Sequence, residues 1–522
     1  MKRDELIRKV SDESKVWDMI VIGGGATGLG IALDASLRGY SVAMFEQHDF
    51  AKCTSSRSTK LVHGGVRYLQ KGDIALVREA LTERGRLHRN APHLVKDQIF
   101  VIPNYSYFDN LLYTCGLTFY DMLSWGGLSL GRSLFISKKR TSKYLPTIKT
   151  NDLKGGVIYH DGQFDDSRLA INLAQSCAEN GGCPINHMRV TGIVHDGNGS
   201  VAGVSVVDME TSTIYKVKAK SVINATGVFV DDIIQMDEPS KQRIVIPSQG
   251  VHLVFDKSFL NSEYALMIPT TSDGRVLFAV PWHKKVVVGT TDIVRGKAEL
   301  EPIPLDEEIE FILKTAGLYM VRKPERKDIL SVFAGQRPLA APKKEGRSSK
   351  EISRSHKIIV SENNLITITG GKWTTYRRMA EDTIDKAIKL KLLPHQKCLS
   401  KNFRIHGYKT NPDLSNHMYV YGSDMAAIEM MIKNDPKMAE KIHPAYTYTV
   451  AEVVWAVREE MARSVEDVLS RRVRLLIIDA KAAISSAGKV AEVMAAELGY
   501  DQKWIEEQLV SFNNIAENFI IK

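Results

Sequence analysis

After a short polar lead-in, the hydrophobic pattern begins with an apolar run over residues 18–22 that leads directly into a group of glycines. Apolar positions then recur on one helix face over residues 31–37, and a second apolar run at residues 41–45 ends at Glu46. Short apolar runs bounded by glycine are typical of buried strands, whereas a spacing of three to four residues is typical of a helix. We therefore predict a strand–helix–strand unit over residues 17–50.

The same reasoning divides the rest of the chain. Helix spacing over residues 73–91 is followed, after an apolar stretch, by alternating strand and helix patterns over residues 155–235. Residues 245–293 are rich in strand patterns, and two of their apolar runs flank a short turn, which predicts a hairpin. A strand, two glycines and a helix recur over residues 365–388. Residues 412–522 have helical patterns and show no catalytic motif.

The first glycines have the spacing of a dinucleotide-binding loop. Gly23, Gly25 and Gly28 form G-x-G-x-x-G between the predicted strand and helix. This arrangement permits a tight turn, the approach of backbone to a pyrophosphate, and close packing of helix on strand. Glu46 lies at the end of the second strand, where an acidic residue binds a ribose hydroxyl. These features favour dinucleotide binding over the alternative of a glycine-rich structural turn.

The loop fits both a nicotinamide and a flavin nucleotide. Two later strand-to-glycine turns, at residues 224–227 and 369–372, indicate one large cofactor held by segments scattered along the chain. A nicotinamide enzyme more often completes its site within one contiguous domain. These turns therefore favour a flavin.

Residues 107–143 are the most apolar part of the chain, and a basic cluster lies at their end: Lys138, Lys139, Arg140 and Lys143. Apolar, aromatic surface beside basic residues is typical of a segment that lies in an anionic membrane interface. A buried helix followed by a solvated basic loop has the same pattern, so both interpretations stay open from the residues alone.

Composition narrows the function classes only slightly. The chain has 522 residues, 44% of them hydrophobic, and a net charge of +9, from 70 Lys and Arg minus 61 Asp and Glu. That charge suits an anionic substrate, an anionic membrane surface or nucleic acid. The five cysteines show no C-x-x-C pattern, so we expect a reducing compartment, no disulfide framework and no metal site. We expect neither a secretory signal nor a membrane-spanning helix.

Five motifs occur in order along the chain: Gly23-Gly-Gly-Ala-Thr-Gly, Ser58-Thr-Lys-Leu-Val-His-Gly-Gly-Val-Arg-Tyr-Leu, Gly289-Thr-Thr-Asp, Gly335-Gln-Arg-Pro-Leu and Thr369-Gly-Gly-Lys-Trp-Thr-Thr-Tyr-Arg. Together they closely resemble the FAD-dependent glycerol-3-phosphate dehydrogenases (aerobic and quinone-linked), a branch of the glucose-oxidase/D-amino-acid-oxidase-like flavoproteins. The resemblance covers nearly the whole chain.

The resemblance implies an α/β fold with a Rossmann-like FAD-binding domain, an antiparallel β substrate domain and a helical C-terminal domain. We assign residues 17–72, 151–244 and 345–393 to the FAD-binding domain. The substrate domain is expected at residues 73–150 and 245–344, with segment 107–143 as its candidate membrane-facing part. The helical domain is expected at residues 400–522.

The resemblance also implies a reaction. FAD would oxidise sn-glycerol 3-phosphate to dihydroxyacetone phosphate, and electrons would pass to a membrane quinone. We expect a cytoplasmic protein attached peripherally to the anionic inner face of the plasma membrane, with a homodimer as one expectation. An oxidase that reduces oxygen to hydrogen peroxide is the nearest alternative. A flavoprotein that binds nucleic acid is a more remote one, and we expect no nucleic acid.

Residues within the motifs receive expected roles in substrate binding. Arg67, Tyr68, Arg337 and Lys372 are assigned to the substrate, because a phosphate dianion needs two or three cations. Lys372 follows two glycines at a helix start, where a cation is unfavourable unless an anion is present.

Catalysis needs a base for the hydroxyl proton. His252, which matches a family histidine, is the first candidate and His63 the second, since an imidazole titrates near neutral pH. Arg337 is the candidate for stabilising the alkoxide. The expected cofactor-binding residues are Gly23, Gly25, Ala26, Thr27, Gly28, Glu46, Thr54, Ser55, Ser58, Thr59, Lys60, Leu61, His63, Gly64, Gly65, Ala225, Thr226, Gly227, Gly371, Lys372, Thr374 and Thr375.

Overall fold

The computed structural model describes residues 1–66, 69, 72–124, 129–340 and 356–521. Its strands are β1 (Val16–Ile22), β2 (Val42–Phe45), β3 (Leu61–Val62), β4 (Val95–Asn104), β5 (Leu134–Ser137), β6 (Gly155–Phe164), β7 (Cys183–Ile185), β8 (Met188–His195), β9 (Val201–Asp208), β10 (Ile214–Asn224), β11 (Val245–Asp256), β12 (Ala265–Ile268), β13 (Leu277–Trp282), β14 (Lys285–Gly289), β15 (Ile293–Val294), β16 (Ile329–Ala340), β17 (Lys357–Val360) and β18 (Ile366–Thr369).

Helices connect and cover these strands. They are α1 (Arg3–Val10), α2 (Ala26–Leu37), α3 (Ile74–Asn90), α4 (Tyr107–Leu123), α5 (Lys138–Tyr144), α6 (Asp166–Glu179), α7 (Val230–Asp237), α8 (Asp306–Tyr319), α9 (Tyr376–Lys389), α10 (Met425–Asn434), α11 (Val450–Glu460), α12 (Leu475–Ile478), α13 (Ala480–Leu498) and α14 (Gln502–Ala516). The strand–helix–strand start, the helix over residues 73–91 and the hairpin β13–β14 are all confirmed.

The first sheet has a parallel centre with the strand order β18-β10-β1-β2-β7, and β17 and β9 are added antiparallel. The ends of its central strands are in register, because Ile22 pairs with both Asn224 and Phe45. Strand order reverses between β1 and β10, and open α/β sheets bind ligands outside the carboxyl ends of strands at such a point. The sheet therefore directs the loops after β1, β2, β10 and β18 to one edge.

Helix α2 is buried on nearly all sides between this sheet, α6 and α9. A near-uniformly apolar helix of this kind belongs in a protein interior. Gly30 allows the close approach of α9, because a Cβ there would lie 2.7 Å from Cδ2 of Tyr376. Helices α2 and α9 are therefore packed closely together.

The second sheet has the order β15-β11-β14-β13-β12-β4-β6-β3, with β16 paired to β11 and β5 paired to β6. Within the described residues β4 and β12 form its parallel pair, and the other pairings are antiparallel. Strands β3 and β6 belong to it, although sequence assigned residues 17–72 and 151–244 to the FAD-binding domain. The domain boundaries stay a prediction, because the pairing of a strand within a sheet does not by itself assign it to a domain.

The C-terminal helices are joined to the first sheet by buried ion pairs. Asp49 accepts a hydrogen bond from Nε of Arg471 at 2.6 Å and from Nη1 of Arg472 at 2.8 Å, and Arg474 donates to Asp166 at 2.8 Å. Breaking one such pair leaves an uncompensated buried charge and typically costs about 3–5 kcal/mol. The helical domain therefore fixes the loop that follows β2.

Within segment 107–143, of which residues 125–128 lie outside the described residues, α4 is a surface helix rather than a core helix. In α4, Tyr107 is 74% exposed, Phe108 70% and Leu111 65%, while Leu117 and Tyr120 face inward. The following strand β5 also exposes apolar side chains, and the basic residues of α5 are exposed beside it. Among the described residues, no helix combines the length and the hydropathy needed to cross a membrane.

Candidate active site

The glycine loop after β1 is a tight turn with other backbone segments packed against it. Gly23 has φ +106°, and a Cβ there would lie 2.8 Å from the carbonyl oxygen of Ala225. A Cβ at Gly28 would lie only 1.8 Å from the carbonyl oxygen of Gly23, and one at Gly25 would lie 3.0 Å from Oγ of Ser55. Glycine is therefore required at residues 23 and 28, where the clash is with backbone, whereas at residue 25 the Ser55 side chain would have to move.

A cavity of about 350 Å³ opens in front of this turn. Glu46 lines it, and its carboxylate accepts hydrogen bonds from the N–H of Gly24 at 2.7 Å and the N–H of His48 at 2.9 Å. Burial raises the pKa of Glu46, although these two donors oppose the shift. The segments that follow β10 and β18 reach the same cavity and contribute Gly227 and Gly371.

A second cavity of about 180 Å³ lies further along the same loop. Residues 51–55 line the larger cavity, and Thr59, Leu61 and His63 line the smaller one, so the chain after β2 runs from one to the other. The smaller cavity is lined by apolar residues, which we call its apolar wall (Val66, Phe100, Tyr159, Met267, Val276 and Phe278), and by polar residues, which include Arg275 and Asp161. Four further polar lining residues contact one another and form what we call its polar end: Arg337, Thr290, Thr291 and Asp292.

Arg337 is the predicted cation that the structure places in the smaller cavity. Its Nη2 donates to Oγ1 of Thr290 at 3.1 Å, and both Nη atoms lie 3.3 Å from the carbonyl oxygen of Thr291. Asp292 lies 3.4 Å from Nη1 and is also bound by the hydroxyl of Ser248. These contacts fix the guanidinium at the polar end.

His252 lies behind the smaller cavity rather than in its lining. Its ring is fully buried and stacked on Phe333, with a centroid distance of 4.9 Å. Nε2 lies 2.9 Å from Oγ1 of Thr59, which does line the cavity. Burial, together with the charges of Lys60 and Arg337, lowers the pKa of His252 well below its usual value. The imidazole is therefore neutral, and it reaches the cavity only by way of the Thr59 hydroxyl.

Lys60 supports this wall from behind. Its ammonium is fully buried, donates to the carboxylate of Asp166 at 2.7 Å and to the carbonyl of Ser56 at 2.6 Å, and lies over the Trp282 and Phe333 rings. Burial lowers the pKa of Lys60 to about 7, although Asp166 opposes the shift. Lys60 thus holds the loop that runs between the cavities, and its role toward the cofactor stays a prediction.

Sequence profiles identify the family of the chain. Residues 18–377 match the profile described as FAD dependent oxidoreductase, and residues 364–505 match the one described as C-terminal domain of alpha-glycerophosphate oxidase. The glycerol-3-phosphate dehydrogenase named as mitochondrial in Schizosaccharomyces pombe is 36% identical, across 96% of this chain and 87% of the relative. The chain belongs to the FAD-dependent glycerol-3-phosphate dehydrogenases.

Other glycerol-3-phosphate dehydrogenases support the assignment. The bovine mitochondrial enzyme is 37% identical, across 94% of this chain and 72% of its own length. The Bacillus halodurans enzyme, solved with FAD, has a TM-score of 0.80 and 28% identity, and it covers 100% of this chain and 98% of its own. Mycoplasma pneumoniae L-alpha-glycerophosphate oxidase has a TM-score of 0.56 at 16% identity, covering 74% of this chain and 98% of its own, which shows a shared fold. The expected fold class, enzyme class and FAD cofactor are confirmed.

The larger cavity fits the cofactor of a glycerol-3-phosphate dehydrogenase of this class. Backbone at Gly23 and Gly25 leaves room for a pyrophosphate at the start of α2, where the helix dipole favours an anion. Glu46 lines this cavity, and its binding of a ribose hydroxyl stays a prediction. Of the predicted residues, those lining this cavity are Gly23, Gly25, Ala26, Thr27, Glu46, Thr54, Ser55, Ala225, Thr226, Gly227, Gly371 and Lys372.

The remaining predicted residues divide between the smaller cavity and the supporting shell. Those lining the smaller cavity are Thr59, Leu61, His63, Gly65 and Arg337. Those lining neither cavity are Gly28, Ser58, Lys60, Gly64, His252, Thr374 and Thr375. Arg67 and Tyr68 lie outside the described residues.

The shell residues support the cavity walls through specific bonds. Ser58 donates to Asp166, Gly64 donates its N–H to the hydroxyl of Tyr120, and Thr374 accepts from the N–H of His63. The N–H of Thr375 donates to the carbonyl of Lys372 at 3.1 Å, so it is already engaged within the chain. Their roles toward FAD remain predictions.

The positions of two basic residues, Lys372 and Arg275, differ from what the sequence led us to expect. Lys372, assigned to substrate from its motif, lines the larger cavity. Arg275, which no motif singled out, lines the smaller one. The sequence shows the turn before β13 as Asp-Gly. The position of this turn in the fold depends on the pairing of β12 with β13 and with β4, and β4 is far away in the sequence.

Proposed function

We propose that the smaller cavity binds sn-glycerol 3-phosphate and that the protein oxidises it to dihydroxyacetone phosphate, passing the electrons to a membrane quinone. The observation that supports quinone as the electron acceptor is the exposed apolar face of α4, a helix that lies next to this cavity. FAD, when bound, accepts a hydride from the carbinol carbon. The chain's own contribution is to hold the alcohol and phosphate beside Arg337, in a cavity whose apolar wall excludes water.

The exposed helix is linked directly to the smaller cavity. The hydroxyl of Tyr120 in α4 accepts the N–H of Gly64 at 2.8 Å and donates to Asp161 at 2.8 Å. Gly65 and Asp161 both line the cavity. A quinone in the membrane beneath α4 would thus lie close to the electron donor, which supports a lipid-soluble acceptor.

Charge supports peripheral attachment to an anionic membrane. Lys138, Lys139, Arg140 and Lys143 on α5 are exposed beside the apolar surface, and each basic residue near such a membrane contributes about 1 kcal/mol of binding. A basic surface that binds nucleic acid would instead combine basic residues with aromatic rings that stack on bases. Here the basic residues follow an apolar helix face that includes Leu111, Leu112 and Met122 beside its aromatic rings, which favours lipid, on the cytoplasmic face of the membrane.

Replacing Phe108 and Leu111 together by glutamate should weaken binding to anionic vesicles at least about tenfold, because burial of each apolar side chain contributes about 1.5–3 kcal/mol. The measurement is co-sedimentation with vesicles of stated phosphatidylglycerol content, beside turnover with a soluble dye, which we expect to stay unchanged. Val510→Glu, at a residue that is 63% exposed on α14, is the control and should bind like the parent. Equal binding of the double variant and the parent contradicts this membrane surface.

The acceptor is tested by anaerobic mixing. Glycerol 3-phosphate should bleach the yellow flavin, and a short-chain quinone should restore the colour at a rate at least equal to turnover. The oxidase alternative is kept because residues 364–505 match a domain named for a glycerophosphate oxidase. Hydrogen peroxide formed in air at the full rate of turnover would establish that alternative and exclude the quinone.

A further inference from the structure

Helix α3 carries two adjacent buried charges of opposite sign. Glu83 is 3% exposed and Arg84 is 2% exposed, and neither lines a cavity. Charged side chains are almost never buried to this degree unless they are paired. The elements that supply their partners therefore show what α3 holds in place.

Glu83 joins α3 to α9. Its carboxylate accepts hydrogen bonds from Nε of Arg377 at 2.7 Å and from Nη2 of the same guanidinium at 2.8 Å. Two parallel bonds of this kind fix orientation as well as distance. Arg377 ends the fifth motif of the sequence, yet it lines neither cavity. Its place in the motif is thus explained by the pairing with α3.

The segment just before Arg377 reaches the smaller cavity. The short turn Trp373–Thr375 leads into α9 and packs against α3. Within this turn, Oγ1 of Thr374 accepts the N–H of His63 at 3.1 Å, and His63 lines the smaller cavity. The pair between Glu83 and Arg377 therefore fixes the segment to which the His63 backbone is bound.

Arg84 supports the next residue of the same loop through a different element. Its Nη1 donates to Asp161 at 2.7 Å, and Asp161 accepts the Tyr120 hydroxyl at 2.8 Å. Burial raises the pKa of Tyr120 well above its usual value, so the hydroxyl keeps the proton that it donates. The same hydroxyl accepts the N–H of Gly64 at 2.8 Å. The N–H groups of His63 and Gly64 are thus held by two elements that meet on α3.

This support acts on the wall of the smaller cavity. A misplacement of about 1 Å, caused by a change far from the reacting atoms, can cost about 100-fold in rate. Groups in a site hold their geometry only when the residues around them are themselves fixed. Because Arg84 anchors Gly64 separately, loss of the Glu83 anchor should displace the loop slightly rather than unfold it.

We propose that Glu83 is a positioning residue for substrate oxidation, which fixes the His63 backbone at the smaller cavity through Arg377 and Thr374. The proposal rests on the proposed function, in which the smaller cavity is the substrate site. Since Glu83 lines neither cavity, it acts on the rate at which bound substrate reduces the flavin. It leaves the binding of substrate beside Arg337 nearly unchanged.

The test is a double-mutant cycle of Glu83→Gln and Thr374→Val in the flavin-replete enzyme. Glu83→Gln removes the charge that holds Arg377, and Thr374→Val removes the acceptor of the His63 N–H at nearly constant shape. Each single variant should slow anaerobic bleaching of the flavin at saturating glycerol 3-phosphate about tenfold or more. The double variant should be no slower than the slower single variant, because both changes act on one contact.

Two further readouts separate positioning from other effects. The substrate concentration that gives half the maximal bleaching rate should change less than about threefold in Glu83→Gln, because the groups that bind substrate are retained. Thr374→Ser keeps the hydroxyl acceptor and should keep the parental rate. The ratio of flavin to protein is measured for every variant, since Trp373 of the same turn lines the larger cavity.

Glu460→Gln is the matched control. Glu460 is fully buried and binds Arg168 through two bonds, at 2.7 Å and 2.6 Å. Each glutamate also has a second arginine partner, Arg472 for Glu460 and Arg86 for Glu83. Glu460 lines neither cavity and joins α6 to the helical domain. The control should lower Tm about as much as Glu83→Gln and should bleach at the parental rate.

The outcomes separate the claims. A parental bleaching rate in flavin-replete Glu83→Gln overturns the proposal, and so do additive effects in the cycle or equal slowing in Glu460→Gln. If Glu83→Gln loses flavin, Arg377→Lys takes its place in the cycle, because it keeps the charge but loses the two parallel bonds. Loss of flavin in both variants assigns the pair to cofactor retention and also overturns the proposal.

The proposed function fails in a different way. Slow bleaching in Arg337→Met beside a parental rate in Glu83→Gln leaves the smaller cavity as the substrate site and removes only the role of Glu83. Parental rates in both variants remove the cavity itself from the proposed function.

Discussion

Replacing Gly28 with alanine is expected to yield a protein without flavin. The new Cβ would lie 1.8 Å from the carbonyl oxygen of Gly23 and 3.5 Å from Cγ1 of Val21. The first contact is with backbone, so no side-chain rotation can relieve it, and the start of α2 must move away from β1. Overpacking of this kind costs about 1–3 kcal/mol or more, and here it also displaces the N–H groups that face the pyrophosphate site.

The measurement is the visible flavin absorbance per protein after purification, which should fall at least about tenfold, since 1.4 kcal/mol is tenfold in affinity. Gly488→Ala is the control, because Gly488 lies within α13 and a Cβ there meets nothing within 4 Å. Glycine-to-alanine at such a helical site gains up to about 1 kcal/mol, so flavin content and Tm should be retained or slightly raised. Full flavin occupancy in Gly28→Ala would show that the glycine loop tolerates a side chain at residue 28.

The sequence predicted the cofactor side of the molecule well because its signals are local. Gly28 is constrained by the carbonyl of Gly23, five residues away, and Glu46 directly follows the next strand. The turns at residues 224–227 and 369–372 follow parallel strands of one sheet, so they necessarily meet at its carboxyl edge. A pattern of strands and glycines therefore determined which segments reach the larger cavity.

The substrate side was predicted less completely because its residues are brought together by non-local pairing. The pairing of β6 with β4 and the position of Arg275 beside the smaller cavity were not predicted, since both depend on antiparallel partners far away in the sequence. The burial of Arg471 and Arg472 against Asp49 was also invisible, because charged residues are usually solvated and their spacing resembles a surface helix. Charge pairs of this kind need the tertiary structure.

The second large effect is expected at Arg337. Arg337→Met should lower kcat/KM about 100- to 1,000-fold, the loss found when a fixed donor to developing negative charge is removed. The guanidinium is held by Thr290 and Thr291 at the polar end of the smaller cavity, so its charge is already oriented before substrate binds. Because Arg337 does not line the larger cavity, flavin content should be unchanged.

Arg295→Met provides the control for this measurement. Arg295 has nearly the same exposure, 26% against 28% for Arg337, and it pairs with Glu299 outside both cavities. Single-turnover bleaching of the flavin by glycerol 3-phosphate isolates the reductive step from reoxidation by the acceptor, and it should slow in Arg337→Met alone. Bleaching at the parental rate in that variant would mean that the alcohol is oxidised away from Arg337, and that another group stabilises the charge that develops on its oxygen.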